Sequence, residues 1–502
     1  MFTRFRLIST MFLTAGFAVA AEPAQNDQAP PPPEPDPVVR HASVTIAGRL
    51  IDYKVTAAKL ALKREDGKTR ASVFHVTYER TGVPDVTNRP VVFAFNGGPG
   101  SSAIWLHLGA LGPRRVPTTP DGLDPLPPAR SVIANPQSIL DAADLVFVDP
   151  VSTGYSRPAK EAKASEFHGL EEDIASMADF VRRWVTEHGR WASPKFLLGE
   201  SYGGVRVVGL ARHLQRRYGM SLNGIVLLSS LLDFRTLHSA QGDNLYYAVY
   251  LPAFTAVAHH HGRVRGDRKQ LVAQARRFAF GDYSAALLKG AEIKPATRRA
   301  VARRLSELTG LGPGVFLENN LRVRASRFRK ELLRRQGLVV GRFDGRVAWP
   351  AESVADDYPS YDPSFSAVYG AFSTAMLDYL TRNLGWLEHN PYEVLSKEIH
   401  PWNWGTENSY VNVSDRLTAA MRHNPRLEVL VLCGRTDLAT PPDAIAYSVR
   451  HLFDLPGERR RSIRFEYYDA GHMFYLNQPD LLKLRRDLLA FLAAPEPAKR
   501  KK

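Results

Sequence analysis

Short apolar runs that alternate with longer helical patterns constrain the fold of this chain most strongly. The runs "VVFAF", "DLVFVD" and "KFLLG" occupy residues 91–95, 144–149 and 195–199, and a glycine-rich or polar turn follows each of them. Nearly continuous apolar runs of this length are typical of buried parallel strands. Residues 165–189 and 203–219 have apolar side chains at helical spacing. The alternation predicts an α/β fold, with a mostly parallel central sheet and helices on both of its faces.

The same pattern continues on both sides of this region. The later runs "LNGIVLLSS", "LEVLVLCG" and "RSIRFEYYD" predict further strands, and residues 441–453 and 478–494 predict the late helices. Near the beginning, residues 41–80 alternate between apolar and polar. An Asp-Gly turn in "REDGKT" separates residues 51–62 from residues 71–80. This part of the chain therefore predicts antiparallel strands at the edge of the sheet.

The alternation is interrupted between residues 233 and 401, which form a helical, arginine-rich stretch far longer than an ordinary connection. We expect residues 233–401 to be a cap inserted over the carboxyl edge of the sheet, where α/β proteins bind ligands. The sheet domain is then predicted to consist of residues 41–232 and 402–495, followed by a basic tail over residues 496–502.

The first forty residues predict export. Arg4 and Arg6 precede an apolar run that ends in the small-residue sequence "AVAAEPA", which is typical of a cleavable signal peptide over residues 1–20. We therefore expect a periplasmic or secreted protein. The apolar run is shorter than the ~20 residues of a spanning helix and contains polar residues, so no stable membrane insertion is expected. The proline-rich segment that follows predicts a stiff linker over residues 21–40.

The cysteine content and the charge pattern bear on disulfide bonds, nucleic-acid binding and metal binding. Cys433 is the one cysteine, so an intrachain disulfide is excluded. The formal net charge of +15 comes largely from arginine-rich helical segments, which favours solvated helix faces. No basic patch interleaved with aromatic residues and no zinc spacing accompanies the charge, so nucleic acid is not an expected partner. The run His259–His261 has no cysteine or acid at ligand spacing, so we expect no metal site there.

Residues 199–203, Gly-Glu-Ser-Tyr-Gly, lie between a predicted strand and a predicted helix. Gly-x-Ser-x-Gly in this position is typical of a nucleophile elbow, in which the tight turn strains the serine and small flanking residues let the backbone fold closely. Ser201 is therefore a candidate nucleophile. The alternative is a serine that only caps the following helix, which the five-residue pattern alone does not exclude.

A serine nucleophile needs a base that takes its proton and an acid that orients the base. Asp437 follows the strand "LEVLVLCG", and His472 follows the next strand. Taken singly, Asp437 could cap a helix and His472 could be an ordinary turn histidine. The order Ser, Asp, His, with each residue at the end of a strand, is that of α/β-hydrolases and predicts a catalytic triad.

The oxyanion formed by serine attack on a carbonyl group needs backbone N–H donors. The loop "FNGGPGSS", residues 95–102, ends a predicted strand and carries glycines that allow a close backbone approach. The N–H groups of Gly98 and Tyr202 are the candidate donors. A phosphate-binding loop is the weaker alternative, because the Walker lysine and the dinucleotide glycine spacing are absent.

Five motifs resemble those of the serine carboxypeptidases, which have the α/β-hydrolase fold, and the chain is most similar to an exported member of bacterial type. The motifs are "FNGGPGSS", "DPVSTGYS", "GESYGG", "CGRTDLATPP" and "AGHMFY", in the order of the family and spread from residue 95 to residue 475. The resemblance implies the triad and oxyanion donors already named, peptide substrates and no cofactor. The predicted cap has no motif that matches the family.

The resemblance also implies that Asn96 and Glu200 hold the terminal carboxylate of the substrate. Glu200 must be protonated to donate a hydrogen bond to a carboxylate, which favours acidic pH. The chain departs from the eukaryotic pattern at Ala94 and Ser101, where tryptophan and cysteine are usual, and at Ala110, where a second carboxylate-binding glutamate is expected. We therefore expect Glu200 to titrate at lower pH than in relatives with two acids, and the preference for a free C-terminus to be weaker.

These observations favour a serine carboxypeptidase that hydrolyses C-terminal peptide bonds through an acyl-enzyme on Ser201. A serine esterase, amidase or acyltransferase with the same site is a second hypothesis, because Ala110 stands where a second carboxylate-binding glutamate is expected. A binding protein without catalysis is the third. Trp402 and Trp404 precede the return of the sheet and are expected to be packing residues, with the wall of a substrate pocket as the alternative.

Overall fold

The computed structural model describes residues 36–124, 127 and 131–493 of the chain. The predicted signal peptide, most of the predicted linker and the basic tail lie outside the described residues. A mixed β-sheet forms the centre of the described part. Its main strands are β1 (Val38–Ile46), β2 (Arg49–Lys63), β3 (Thr69–Arg80), β4 (Val91–Phe95), β5 (Asp144–Val148), β6 (Lys195–Glu200), β7 (Gly224–Leu228), β8 (Glu428–Gly434) and β9 (Arg464–Tyr468). Their order across the sheet is β1-β2-β3-β5-β4-β6-β7-β8-β9.

The six strands from β5 to β9 in this order run parallel, as the apolar runs predict. Successive side chains of β4 enter opposite clusters: Val92 and Ala94 pack in one apolar cluster, and Val91 and Phe93 pack in the other. This alternation explains why the sequence of the strand is apolar throughout, because both faces of the sheet are covered.

Strands β1, β2 and β3 form the predicted antiparallel edge. The Asp-Gly turn lies between β2 and β3, as expected. Strand β1 begins at Val38, three residues before the expected start of the fold at His41. The reason is that the backbone of Val38 and the next two residues pairs with β2, up to Ala57. The proline-rich composition before Val38 concealed this start.

Helices cover both faces of the sheet. They are α1 (Leu170–Glu187), α2 (Tyr202–Tyr218), α3 (Leu245–His260), α4 (Arg268–Phe278), α5 (Ser284–Leu288), α6 (Pro295–Thr309), α7 (Pro313–Glu318), α8 (Ala325–Glu331), α9 (Pro363–Asp378), α10 (Ser414–His423), α11 (Pro442–Arg450), α12 (Gly457–Arg461) and α13 (Gln478–Leu492). Helices α1, α2 and α10 pack on one face, and α9 and α13 pack on the other. No helix in the described ranges is long and apolar enough to cross a membrane.

Residues 233–401 join the neighbouring strands β7 and β8 and divide into two differently packed parts. Helices α3 to α8 form an apolar cluster of their own together with Leu438 and Ala444. Helix α9 and the π-helical turn Tyr379–Leu384 instead pack in a sheet-face cluster with residues such as Tyr78. The inserted region therefore supplies part of the core as well as covering the sheet, which differs from a cap over one edge. The apolar side of α9 explains the difference, because the sheet face next to β1–β3 has to be covered.

Candidate active site

Ser201 lies on a sharp turn between β6 and α2, with a φ angle of 59°. Positive φ is strained for a residue other than glycine, and such strain is typical of a nucleophile elbow. The Ser201 backbone N–H donates to the carbonyl oxygen of Leu228 at 3.0 Å, which holds the turn against β7. A Cβ atom on Gly199 would lie 2.1 Å from the carbonyl oxygen of Gly203, so glycine is required beside the turn. The serine has the conformation that the motif predicts.

Asp437 and His472 lie in the loops after β8 and β9 and form a hydrogen bond. The His472 Nδ1 atom is 2.7 Å from Oδ2 of Asp437. Both side chains are buried, and Asp437 has 0% of its surface exposed. The backbone N–H groups of Ala439 and Thr440 donate to Oδ1 of Asp437 at 2.7 and 2.9 Å. The carboxylate is thus fixed by the loop and directs Nδ1 of the imidazole toward itself.

The surroundings of His472 tune its basicity. Burial lowers the pKa of His472, but the charge of Asp437 and its hydrogen bond outweigh this effect, so the pKa lies above the usual 6.5. Thr440, which the sequence analysis did not single out, places its hydroxyl 2.7 Å from Oδ2 of Asp437 and 3.0 Å from Nδ1 of His472. Ser229 donates to the backbone carbonyl of His472 at 2.7 Å. The histidine is therefore held from both its ring and its backbone.

The glycine loop after β4 lies directly against the elbow. A Cβ atom on Gly97 would be 2.6 Å from the backbone nitrogen of Tyr202. Gly98, the other predicted oxyanion donor, has a φ angle of 104° and lines the same cavity as Ser201. The structure thus brings the two predicted donor segments together at one edge of the sheet.

A buried ion pair under the elbow connects it to the glycine loop. The Arg206 guanidinium on α2 donates to Asp173 at 2.8 Å and to the backbone carbonyl of Asn96 at 2.6 Å. The Tyr202 hydroxyl donates to the same carboxylate of Asp173 at 3.1 Å. Sequence reasoning missed Arg206, whose one signal is a charged residue within an otherwise apolar helix face.

A cavity of about 330 Å³ opens at this edge of the sheet. Its lining brings together the predicted nucleophile, the histidine and both predicted carboxylate-binding residues, with apolar side chains around them. The lining includes Ser201, His472, Asn96, Glu200, Gly98, Trp105, Phe343, Phe365, Leu395, Met473, Arg342, Lys397 and His400. Of the predicted site residues, Asp437 lies behind His472 and Tyr202 lies beneath the elbow, so neither lines the cavity.

Glu200 is buried at the base of the cavity and is surrounded by donors. The Asn96 amide donates to Oε2 of Glu200 at 2.8 Å, and the Tyr475 hydroxyl donates to the same atom at 3.0 Å. Burial raises the pKa of Glu200 to about 7. The raised pKa favours the protonated form of Glu200 in acidic solution, and this is the form that can donate to a carboxylate.

The hydrogen bonds also decide which oxygen of Glu200 carries the proton. The backbone N–H of Leu106 donates to Oδ1 of Asn96 at 3.1 Å, so the amide NH₂ group must point toward Glu200. Because Oε2 accepts from both Asn96 and Tyr475, Oε1 is the oxygen left to carry the proton. The Tyr475 hydroxyl is also 3.3 Å from Oε1, which is a longer and weaker contact than its 3.0 Å hydrogen bond to Oε2.

The two tryptophans that the sequence analysis singled out have a structural explanation. The indole rings of Trp402 and Trp404 pack on the ring of Tyr202, at centroid distances of 5.7 and 6.1 Å, and neither lines the cavity. They are packing residues beneath the elbow. Within the described ranges, no group of three histidine, cysteine or acidic residues is arranged to hold a metal ion.

Comparison with known proteins finds similarity to serine carboxypeptidases. The serine carboxypeptidase family model matches residues 63–297, a range that contains the glycine loop and the elbow. Over this range the chain is similar to the serine carboxypeptidases. Serine carboxypeptidase-like 45 of Arabidopsis thaliana is 27% identical over 180 residues, which are 34% of this chain and 36% of that protein. The lysosomal protective protein of Mus musculus is 30% identical over 170 residues, which are 33% and 32% of the two chains. The chain thus matches about a third of the length of these relatives.

The fold is shared over a greater length than the sequence. The fold is similar to the crystal structure of Kex1(delta)p, a prohormone-processing carboxypeptidase from Saccharomyces cerevisiae. The superposition covers 88% of this chain and 91% of that chain, with a TM-score of 0.54 and 14% sequence identity. This similarity confirms the predicted α/β-hydrolase fold.

This chain departs from the carboxylate clamp that the resemblance to serine carboxypeptidases implies. Ala110, where the resemblance places a second glutamate, is 1% exposed in a sheet-face cluster and does not line the cavity. Tyr475, which the sequence analysis did not single out, is the other donor to Glu200. Its ring fits closely over Gly109, where a Cβ atom would lie 2.6 Å from the ring. In this chain the phenol of Tyr475 therefore lies beside Glu200. The sequence indicates this contact only through Gly109 and Tyr475, which are far apart in the chain.

Proposed function

We propose that this protein is an exported serine carboxypeptidase that removes C-terminal residues from peptides. In the proposed reaction, Ser201 Oγ attacks the carbonyl carbon of the last peptide bond while Nε2 of His472 accepts the hydroxyl proton. Asp437 holds the imidazole and stabilises the imidazolium that forms. The N–H groups of Gly98 and Tyr202 donate to the oxyanion. His472 then returns the proton to the departing amine, and the acyl-enzyme remains.

The second half of the reaction uses the same groups. Water enters after the amine leaves, and His472 takes a proton from it as its oxygen attacks the acyl carbon. Collapse of the second tetrahedral intermediate returns the proton to Ser201 and releases the shortened peptide with a new carboxylate. No other co-reactant is needed for the atoms to balance.

The observation that carries the proposal is Glu200, buried beside the predicted nucleophile with its pKa raised by burial to about 7. A protonated carboxyl group next to the Asn96 amide donates more strongly to a terminal carboxylate than to a neutral amide or ester group. The absence of a second acid at Ala110 supports the alternative that esters or amides are also accepted. Localisation outside the cytoplasm rests on the predicted signal peptide.

The test compares two N-blocked dipeptides that differ only in a free acid or an amide at the C-terminus. We expect kcat/KM at pH 6 to be higher for the acid, and Ser201→Ala to abolish both reactions. Equal rates on acid and amide in the wild type would instead support the esterase or amidase hypothesis. No hydrolysis of either compound would contradict the proposed peptidase activity.

A further inference from the structure

Two cations at the rim of the active-site cavity form no side-chain ion pair with any acid in the described part of the chain. Arg342 and Lys397 both line the cavity and are exposed, and neither forms an ion pair within the described residues. Neighbouring arginines differ in this respect: Arg346 pairs with Asp344 at 2.7 Å. Among the described residues lining the cavity, Glu200 is the one carboxylic acid, and it is neutral below about pH 7. At acidic pH, the side chains that line the cavity therefore carry a net positive charge.

Hydrogen bonds to the predicted catalytic loops fix the backbone of Arg342. Its carbonyl oxygen accepts from the N–H of Leu438 at 3.1 Å, immediately after Asp437. The next carbonyl, that of Phe343, accepts from the N–H of His472 at 2.5 Å. The Arg342 guanidinium lies 5.3 Å from the centre of the Phe343 ring, which lies 5.0 Å from the His472 ring. The cation is thus held one side chain away from the predicted base.

Backbone hydrogen bonding also fixes the segment that carries Lys397. The N–H of Ser396 donates to the carbonyl oxygen of Gly100 at 2.9 Å, which ties this segment to the glycine loop. A Cβ atom on Gly100 would lie 2.8 Å from the carbonyl oxygen of Ser396, so the two backbones are in close contact. Lys397 follows directly, is exposed and lines the cavity.

We infer that this cavity selects peptides with an acidic side chain next to the scissile bond, which Arg342 and Lys397 bind. The inference rests on the proposed peptidase function. A guanidinium binds carboxylates through two parallel hydrogen bonds, and an ammonium adds charge without a fixed direction. Positive charge at the mouth of a cavity with apolar walls also raises the local concentration of anionic substrates. The terminal carboxylate of the substrate is the other possible ligand of the two cations, and the test separates the two sources.

The test uses two pairs of N-blocked dipeptides with free acid ends. One pair has Glu or Gln at the residue released, and the other pair has Glu or Gln at the residue before the scissile bond. We expect the wild type to have a higher kcat/KM for Glu than for Gln in at least one pair, by about two- to fivefold for each cation at the exposed rim. The Arg342→Gln, Lys397→Gln double variant should bring this ratio to about one, and salt should reduce it in the wild type.

A matched control removes the same kind of charge elsewhere. Lys269 is an exposed residue of α4 that does not line the cavity, so Lys269→Gln should leave the Glu/Gln ratio unchanged. No preference for Glu in either pair, or a preference that survives in the double variant, would overturn the inference. If the double variant slows the Glu and Gln peptides equally, the cations bind the terminal carboxylate and the inference is also wrong.

The outcomes separate this inference from the proposed function. Hydrolysis of the Gln peptides by the wild type, and not by Ser201→Ala, establishes the peptidase activity whatever the ratio is. Failure to cleave any of the four peptides would overturn the proposed function and the inference together.

Discussion

The ratio of activity on free-acid and amide substrates should fall as pH rises through about 7, because Glu200 loses its proton there. Burial raises the pKa of Glu200 from 4.5 to about 7. In the proposed function, the protonated form donates to the substrate carboxylate, whereas the ionised form would repel it. With a pKa of about 7, roughly nine tenths of the protein carries the proton at pH 6 and roughly one tenth at pH 8. The kcat/KM ratio of acid to amide substrate should therefore fall about tenfold between these values.

The ratio isolates Glu200 because the ionisation of His472 affects both substrates and cancels. In Glu200→Gln the side chain still donates from an amide and does not titrate, so the ratio should be flat between pH 6 and 8. The charge of Glu200 raises the pKa of His472. Activity of the variant on the amide substrate should therefore reach its plateau at lower pH than activity of the wild type.

The assay is a set of steady-state rates for both substrates at half-unit pH steps, with wild type and variant at equal ionic strength. A wild-type ratio that stays constant from pH 6 to 8 would refute the role given to Glu200. The same conclusion would follow if Glu200→Gln showed the same fall as the wild type, because a group other than Glu200 would then be responsible.

Three further predictions concern residues that the sequence analysis did not assign. Tyr475→Phe removes a donor to the ionised form of Glu200, so the fall in the acid-to-amide ratio should move to higher pH by about half to one unit. Arg206→Met leaves Asp173 buried without its partner and should lower the free energy of unfolding by about 3–5 kcal/mol in urea titrations, whereas adding Asp173→Leu should recover part of the loss. Asp149 has a pKa raised by burial to about 7, so the folded state binds its proton more tightly than the unfolded state. The free energy of unfolding should fall as pH rises toward and through 7, and Asp149→Asn should reduce this fall by a few kcal/mol.

The sequence was enough to predict the strands, the elbow and the candidate triad positions, because each has a pattern within a few neighbouring residues. A buried parallel strand is apolar over its whole length, and the elbow needs glycines at fixed offsets from Ser201. The loop that carries Asp437 follows such a strand, and the loop that carries His472 follows the parallel edge strand β9, which is only partly buried. Parallel strands end at the same edge of the sheet, so their order in the chain was enough to predict that these residues meet.

The contacts that complete the site could not be predicted in the same way. Tyr475 reaches Glu200 across 275 residues of chain, and Arg206 reaches the carbonyl of Asn96 across 110 residues. Neither residue has a neighbouring pattern that specifies its partner. The packing of α9 on a sheet face also depends on which surface the other helices leave uncovered, and a single helix sequence does not contain that information.

Covalent labelling with a fluorophosphonate tests the central claim most directly, since the reagent reacts with a serine that is activated by a base and an oxyanion site. We expect a single adduct that peptide mass spectrometry maps to Ser201. The adduct should be absent in Ser201→Ala, strongly reduced in His472→Ala and unchanged in Lys269→Gln. A folded wild-type protein that is not labelled, or an adduct on another residue that persists in Ser201→Ala, would contradict the claim that Ser201 is the nucleophile of this site.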